Sequence, residues 1–199
     1  MDKEVLKDIL LSQDIRTEKK VVQRSLLKSI REFDGTQFVI IISGIRRCGK
    51  STLLYLLRTD ATYYVNFDDE RFVNFTVNDF QMLYELLIEL FGVKNIFIFD
   101  EIQNIVGWER FVRRLHDAQK KVYVSGSNAS MLSREFGSHL TGRNIEFRLY
   151  PFSFSEFLNF KHISENAADF TMKNVIKNAF NEYVEKGGFP EYLENEKEE

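Results

Sequence analysis

An octapeptide in the first third of the chain has residue types and spacing that could bind phosphate. Residues 44–51, GIRRCGKS, fit the pattern G-x-x-x-x-G-K-[ST]. Gly44 and Gly49 would let the backbone turn tightly, so that successive N–H groups point into one concavity. Lys50 would bring a mobile ammonium to the β- and γ-phosphates of a nucleotide, and the Ser51 hydroxyl could bind Mg²⁺. The predicted nucleotide-binding residues of this stretch are Gly44, Ile45, Arg46, Arg47, Cys48, Gly49, Lys50, Ser51 and Thr52.

Two adjacent carboxylates supply the groups that hydrolysis of a bound nucleotide would need. The stretch 95–101, NIFIFDE, has four apolar residues in a row and then Asp100 and Glu101. Asp100 could hold Mg²⁺ and its water shell, and Glu101 could polarise an attacking water. The alternative is that both acids only cap the turn after a strand. Together with the octapeptide, the pair favours ATP hydrolysis and counts against a small-molecule kinase.

These residues must be positioned by a sheet, and five short runs rich in β-forming residues predict its strands. Three runs are nearly continuous in apolar residues, as in strands that are buried on both faces of a parallel sheet. Helical patterns lie between the runs, so the sequence predicts an α/β domain with a five-stranded, mainly parallel sheet flanked by helices. The octapeptide directly follows the first run and precedes a helix, which is the setting that a phosphate-binding loop requires. The runs are FVIIIS (38–43), TYYVNF (62–67), NIFIFD (95–100), KVYVSG (121–126) and IEFRLY (145–150).

Apolar residues at helical spacing predict which helix faces are buried. One helix is expected over residues 76–91 and ends at Gly92, and another begins at Trp108. After Pro151 the β signal disappears, and the spacing of apolar residues over 164–186 predicts a small helical region. The expected inward positions are Val77, Phe80, Leu83, Tyr84, Leu87 and Phe91 in the first helix, and Trp108, Phe111, Val112 and Leu115 in the second.

Length and composition bound the domain organisation. The chain has 199 residues, of which 44% are hydrophobic and 29% charged, which suits one large globular domain with a small appendage. We expect a helical segment over residues 1–34 that leads into an ATPase core over 35–152. A lid-like helical region with an acidic tail is expected over 153–199.

Charge, cysteine content and hydropathy indicate the compartment. The net charge of −3 equals that of the tail ENEKEE (194–199), so the body is near neutral and neither indicates nor excludes a nucleic-acid partner. The single cysteine, Cys48, excludes an internal disulfide and is typical of reducing compartments. Because no apolar run approaches the ~20 residues that span a bilayer, the sequence predicts a cytoplasmic protein without membrane association.

A helix with three arginines on one face could bind nucleic acid, but the sequence does not decide whether it does. Arg110, Arg113 and Arg114 are expected on the exposed side of the helix that begins at Trp108, where they could contact DNA or RNA phosphates. The alternative is a solvated face that pairs with Glu109 and Asp117. Two functions therefore stay open: an ATP-hydrolysing motor or loader that acts on nucleic acid, and a slow nucleotide-controlled switch that is read by a protein partner.

A series of motifs over roughly residues 15–193 resembles the AAA+ branch of P-loop ATPases, and more narrowly the prokaryotic AAA_14 group. The octapeptide corresponds to the Walker A motif and FIFDE to the Walker B motif. In that group the core is usually followed by a C-terminal DUF4143 region. This sequence stops just after GGFPEYL, so we expect either a short form or a chain from which that region has been removed. The motifs are FIFDEIQNIVGWERFVRRL, VYVSGSNASML, LTGRNIEFRLYPFSFSEFL and EKGGFPEYL.

The resemblance implies roles for further residues. Asn128 or Ser127 would be the sensor that orients the lytic water, although Asn128 is also a preferred type of helix N-cap. Arg143 would be an arginine finger for a neighbouring subunit, which implies a homo-oligomer with shared sites; the alternative is a surface arginine in a turn. Pro190, in the G-x-P element GGFP, would contact adenine. A sensor-2 arginine is not expected, because the last arginine of this sequence is Arg148.

Overall fold

The computed structural model describes residues 1–14, 21–127, 142–164 and 170–195. Its centre is a five-stranded sheet with the strand order β2-β3-β4-β1-β5, in which each pair of neighbouring strands is parallel. The five predicted strands and the α/β class are confirmed, and the predicted strand ends differ by one or two residues. The strands are β1 (Val39–Ser43), β2 (Thr62–Asn66), β3 (Ile96–Asp100), β4 (Lys121–Gly126) and β5 (Asn144–Arg148).

Helices cover both faces of the sheet. Numbered in chain order among the described residues, they are α1 (Lys3–Asp14), α2 (Leu26–Arg31), α3 (Lys50–Leu57), α4 (Phe80–Phe91), α5 (Trp108–Asp117), α6 (Phe154–Phe160), α7 (Phe170–Lys186) and α8 (Pro190–Asn195). Short 3-10 helices span Glu70–Asn74, Val77–Asp79 and Ile102–Asn104. This arrangement places the carboxyl ends of the strands, and the loops that leave them, at one edge of the sheet.

The alternation of side chains along each strand divides the core into two layers. On one face, Val39 and Ile41 of β1 pack with α1, α4 and α5 in a cluster rich in phenylalanine. On the other face, Ile40 and Ile42 pack with α2 and α3. Every residue of β1 and β4 is buried, which accounts for the nearly continuous apolar sequence of β1. The strand that leads into the octapeptide therefore lies deep in the molecule.

The first turn of the predicted helix 76–91 differs from the expectation. Residues 77–79 form a 3-10 turn, and the α-helix begins at Phe80. A capping box explains the tight turn, because the Asp79 carboxylate accepts hydrogen bonds from the Thr76 N–H at 2.8 Å and the Thr76 hydroxyl at 2.9 Å. Val77 is exposed as a result, so its predicted inward position is wrong, whereas the helix does end at Gly92 (φ 71°).

The helices after Pro151 pack on a smaller cluster of their own. This cluster contains Phe157 and Leu158 of α6, Ala179 of α7 and Leu193 of α8. Residues 170–186 are helical as predicted, but much of the apolar face of α7 is exposed, and Val184 is 67% accessible. None of the helices that the structure describes is long and apolar enough to cross a membrane. The cytoplasmic location remains a prediction.

Candidate functional site

The octapeptide forms the loop between β1 and the N-terminus of α3. Gly44 has no room for a side chain, because a Cβ atom there would lie 2.5 Å from the Leu149 carbonyl oxygen. Gly49 caps α3 with φ at 97°, a conformation that glycine adopts readily and other residues rarely do. The two glycines thus hold the loop in the shape that brings the first turn of α3, with its unpaired N–H groups, to the cleft beside it.

A cleft of about 650 Å³ opens beside this loop at the carboxyl edge of the sheet. It brings together predicted residues from the loop, Glu101 after β3, Ser127 after β4 and Pro190 of the C-terminal helix α8. Its lining residues are Arg46, Arg47, Gly49, Lys50, Ser51, Thr52, Asn66, Asp68, Glu101, Asn104, Ser127, Pro190, Glu191 and Glu194. Residues that are far apart in the sequence therefore share one site, as the motif assignment requires.

Lys50 links the phosphate loop to the Walker B acid. Its side chain is buried, and its ammonium donates hydrogen bonds to the carbonyl oxygens of Gly44 at 3.1 Å and Ile45 at 3.4 Å. The same ammonium lies 3.2 Å from Glu101 Oε1. The ammonium of Lys50 thus stays beside the loop and forms a direct ion pair with Glu101.

Asp100 is fully buried at the end of β3. Its carboxylate accepts hydrogen bonds from the hydroxyls of Ser125, Ser51 and Tyr64, the last at 3.2 Å. Burial raises the pKa of Asp100 above its ordinary value, helped by the negative charge of Glu101, although the three hydroxyls oppose the shift. A cation bound beside Asp100 would relieve this cost by favouring the charged form.

Glu101 is held at four points in a left-handed backbone conformation (φ 51°). Its N–H donates to the Ser125 hydroxyl at 3.1 Å, and its Oε2 accepts from Gln103 Nε2 at 2.5 Å and from the Ser127 N–H at 3.1 Å. Burial alone would raise the pKa of Glu101, but the Gln103 hydrogen bond and the Lys50 charge lower it below its ordinary value. Glu101 is therefore an ionised, oriented carboxylate, which is the state that a general base requires.

The donor set at this edge fits a magnesium ion. The Ser51 hydroxyl is hydrogen-bonded to the Asp100 carboxylate, so the two predicted ligands are already adjacent. Both are hard oxygen donors of the kind that Mg²⁺ prefers. Among the described residues, this edge included, histidine, cysteine, aspartate and glutamate side chains form no cluster of three or more that could hold a metal by themselves.

A narrower cavity of about 120 Å³ adjoins the cleft on the side of the C-terminal helices. Its walls combine aliphatic, aromatic and glycine surfaces with a few polar groups. It is lined by Val21, Val22, Arg24, Gly49, Thr52, Phe152, Phe160, Pro190 and Glu194. Pro190, Gly49 and Thr52 border both spaces, so a molecule with a charged end and a flat apolar end could extend from one into the other.

Three predicted residues of the loop contribute through the backbone and do not line the cleft. Gly44 and Ile45 offer their carbonyl oxygens to Lys50, whereas the carbonyl oxygen of Cys48 accepts from Arg24 at 2.8 Å. The Cys48 side chain is buried behind the loop, and burial raises the pKa of its thiol. The thiol is therefore kept protonated and out of the cleft.

Of the predicted sensor and arginine-finger residues, Ser127 lies at the cleft and Arg143 does not. Ser127 lines the cleft and donates its backbone N–H to Glu101, whereas Asn128 lies outside the described residues. Arg143 immediately precedes β5, at the amino end of the sheet, and its guanidinium lies 3.0 Å from Asp117 Oδ1. The structure therefore does not bring Arg143 to the cleft of its own chain.

The predicted basic face of α5 is exposed, but two of its three arginines have local partners. Arg113 Nε lies 3.7 Å from Asp117 Oδ2, within the helix. Arg114 donates a hydrogen bond to Gln81 at 2.7 Å and lies over the rings of Tyr84 and Phe111. These contacts match the alternative of a solvated, internally paired face. Nucleic acid as a partner of Arg110, Arg113 and Arg114 remains a prediction.

Sequence reasoning missed several residues that orient the two acids. Ser125 contacts both, since its hydroxyl donates to Asp100 and accepts from the N–H of Glu101. Tyr64 and Gln103 each bond one acid. A polar residue near the carboxyl end of an otherwise apolar strand, as in VYVSG, is the signal that could have identified Ser125. Gln103 has no comparable signal, because its role depends on the 3-10 turn after β3.

The fold and the site together define an AAA+ type P-loop domain. Two solved structures share this fold at low sequence identity. The AMPPCP-bound DnaA from Aquifex aeolicus superposes with a TM-score of 0.52 and 18% identity, covering 96% of this chain and 63% of that one. The Hsp104–ADP complex of S. cerevisiae superposes with a TM-score of 0.54 and 13% identity, covering 79% of this chain and 26% of that one.

The chain belongs to the AAA_14 family of AAA domains, whose pattern matches residues 36–158. An uncharacterized protein of Methanocaldococcus jannaschii is 33% identical over 96% of the chain, and one of Haemophilus influenzae is 32% identical over 85%. In both cases the match covers 44% of the relative, so the chain spans less than half the length of these proteins.

Proposed function

We propose that this protein is a Mg²⁺-dependent ATPase that binds ATP in the cleft and hydrolyses it to ADP and phosphate. The observation that carries this proposal is the convergence of four residues at one edge of the sheet, where Lys50 pairs with Glu101 and Ser51 interacts with Asp100. A cation for phosphate, two metal ligands and an ionised base are the groups that nucleotide hydrolysis needs.

Each of these residues has a distinct role in the proposed reaction. The N–H groups at the start of α3 and the Lys50 ammonium would bind the β- and γ-phosphates. Ser51 and Asp100 would hold Mg²⁺, which when bound neutralises charge on the phosphates. Glu101 would orient and polarise the attacking water, since its carboxylate is ionised and Gln103 fixes its position.

The 120 Å³ cavity is the proposed site of the adenine base. It is continuous with the cleft through Gly49, Thr52 and Pro190, and Val22 and Phe152 add apolar surface. Such a surface suits a flat, weakly polar ring better than it suits phosphate. That DnaA was solved with AMPPCP and Hsp104 with ADP supports the choice of an adenine nucleotide.

The proposal also includes coupling of nucleotide state to the C-terminal helices and to neighbouring subunits. Arg47 of the phosphate loop lies 3.2 Å from Glu191 of α8, so a phosphate that attracts Arg47 would weaken this link. This coupling would serve the slow, nucleotide-controlled switch and the motor that acts on nucleic acid alike, so both remain proposals. Sharing of sites between subunits would involve Arg143.

The proposed base is tested by Glu101→Gln. The substitution keeps the shape of the side chain but removes the charge that polarises water, so turnover should fall by about 10²-fold or more while ATP still binds. Phosphate release and nucleotide affinity are measured side by side in the presence of Mg²⁺. Glu89→Gln is the matched control, because Glu89 is an exposed residue of α4 that pairs with Lys3. Equal turnover in wild type and Glu101→Gln would show that the base lies elsewhere.

A further inference from the structure

Arg24 is a buried cation that lies behind the phosphate loop. Only 4% of its side chain is exposed. Its guanidinium donates to the Cys48 carbonyl oxygen at 2.8 Å and to the Tyr150 carbonyl oxygen at 2.5 Å. The guanidinium also lies over the Phe152 ring, 4.9 Å from its centroid. One side chain thus ties the segment before α2 to the octapeptide and to the chain that leaves β5.

The contact with Cys48 fixes a peptide plane of the phosphate loop. In a planar trans peptide, the C=O of Cys48 and the N–H of Gly49 point in opposite directions. Because the carbonyl is held on Arg24, the N–H of Gly49 is directed away from Arg24. Arg24 does not line the 650 Å³ cleft, whereas Gly49 does. The hydrogen bond therefore favours the orientation in which this N–H can donate to a phosphate in the cleft.

The position of Arg24 is set by Glu156 of α6. Glu156 Oε1 lies 3.2 Å from Arg24 Nε, and both side chains are almost completely buried. The same carboxylate accepts hydrogen bonds from the Ser25 N–H at 2.8 Å, the Ser25 hydroxyl at 3.0 Å and the Ser153 N–H at 2.9 Å. A buried carboxylate with this many donors stays ionised and holds the guanidinium in one place.

We propose that Arg24 is a positioning residue for nucleotide binding: it holds the Cys48–Gly49 peptide in its phosphate-binding orientation and, through Glu156, joins the loop to the first helix after the sheet. This inference rests on the proposed ATP site and adds a residue outside the Walker motifs. Arg24 acts through the backbone of the loop, so it sets the affinity for phosphate without taking part in the chemistry. Its loss should weaken nucleotide binding beyond what the accompanying loss of stability explains.

The test is Arg24→Lys, with Arg58→Lys as a matched control. Lysine keeps the charge, but a single ammonium cannot reach Cys48, Tyr150 and Glu156 together as the planar guanidinium does. Arg58 is equally buried, pairs with Asp14 at 3.1 Å and lies over the Tyr64 ring, and these partners are outside the phosphate loop. Because Tyr64 also bonds Asp100, affinity is measured without Mg²⁺, so that a change at the proposed metal ligand does not enter the comparison. Affinity is measured for a fluorescent ATP analogue and, by its displacement, for inorganic triphosphate, which lacks the base that could contact Arg24 in the 120 Å³ cavity. The urea midpoint of unfolding is measured for wild type and both variants.

Affinity should fall about 10-fold or more in Arg24→Lys. It should stay within about 2-fold of wild type in Arg58→Lys, and the two variants should lose similar amounts of stability. Equal affinity in the two variants overturns the positioning role and leaves the ATP site intact. No binding by the wild-type chain overturns the proposed function itself. If Arg24→Lys does not fold, Glu156→Gln is compared with Arg58→Lys: lower affinity in Glu156→Gln supports the role, and equal affinity overturns it.

Discussion

At the scale of single residues, buried charges surround the phosphate loop, and each is compensated by a specific partner. Lys50 faces Glu101, Arg24 faces Glu156, and the carboxylate of Asp100 accepts hydrogen bonds from hydroxyl groups. Removing one member of such a pair leaves the other charge buried without compensation, which is costly. Substitutions at this site therefore change stability as well as function, and controls must separate the two effects.

The Glu156 carboxylate should make the stability of the protein depend on acidic pH. Burial alone would raise the pKa of Glu156, but hydrogen bonds from the Ser153 and Ser25 N–H groups and the Arg24 charge lower it below the ordinary 4.5. The stabilisation from its ionised form is thus fully present above about pH 4.5. It is lost as the pH falls through the lowered pKa of the folded state.

We expect Glu156→Gln to lower the free energy of unfolding by about 2 kcal/mol at pH 7, because Arg24 loses its counter-charge. The difference in unfolding free energy between wild type and variant should narrow as the pH falls from about 4.5 through the lowered pKa of Glu156, because the wild-type carboxylate becomes protonated over this range. Urea unfolding from pH 7 to pH 3 measures the gap, and Glu89→Gln serves as the exposed control. A gap that is the same at every pH would contradict this account of Glu156.

At the scale of elements, local sequence patterns were sufficient to predict most strands of the sheet and most of its helices. The run that forms β1 is apolar because both faces of this strand are buried, and that signal lies within a few residues. The inward face of α5, from Trp108 to Leu115, is also as predicted. The octapeptide and the acids after β3 could be assigned because their positions relative to strands are part of the motif.

Other features depend on contacts between distant parts of the chain, so the sequence alone did not reveal them. The bond from Arg24 to the Tyr150 carbonyl joins residues 126 positions apart. Val77 is exposed because Thr76 and Asp79 form a tight turn, although its spacing matches the buried face of α4. The apolar face of α7 likewise has helical spacing without burial, since spacing predicts a helix but not what covers it.

At the scale of the whole molecule, the position of Arg143 bears on assembly. β5 lies at the edge of the sheet beside β1, and Arg143 precedes its first residue. The cleft is at the carboxyl ends of the strands, so about five residues of strand, roughly 16 Å, separate Arg143 from that edge. This distance argues against a role of Arg143 at the cleft of its own chain. A role at the site of a neighbouring subunit remains a prediction, beside the alternative of a surface arginine that pairs with Asp117.

If sites are shared, ATPase activity per protein should rise with protein concentration, and two inactive variants should complement each other. Arg143→Ala keeps an intact cleft but lacks the finger, and Lys50→Ala keeps the finger but lacks a working cleft. An arginine that contacts the transferred phosphate is worth about 10³–10⁵ in rate. Mixing the two variants should therefore restore phosphate release above that of either one alone. If mixing restores no phosphate release and wild-type turnover does not depend on protein concentration, the protein is a monomeric ATPase.

The most direct test of the central claim is the affinity of the chain for ATP in wild type, Lys50→Ala and Glu101→Gln. Both substitutions break the ion pair between Lys50 and Glu101, but only the first removes the cation from the phosphate loop. The account predicts that wild type and Glu101→Gln bind a fluorescent ATP analogue, whereas Lys50→Ala loses binding, with circular dichroism showing that all three are folded. Wild-type affinity in Lys50→Ala would show that the octapeptide is not the nucleotide site.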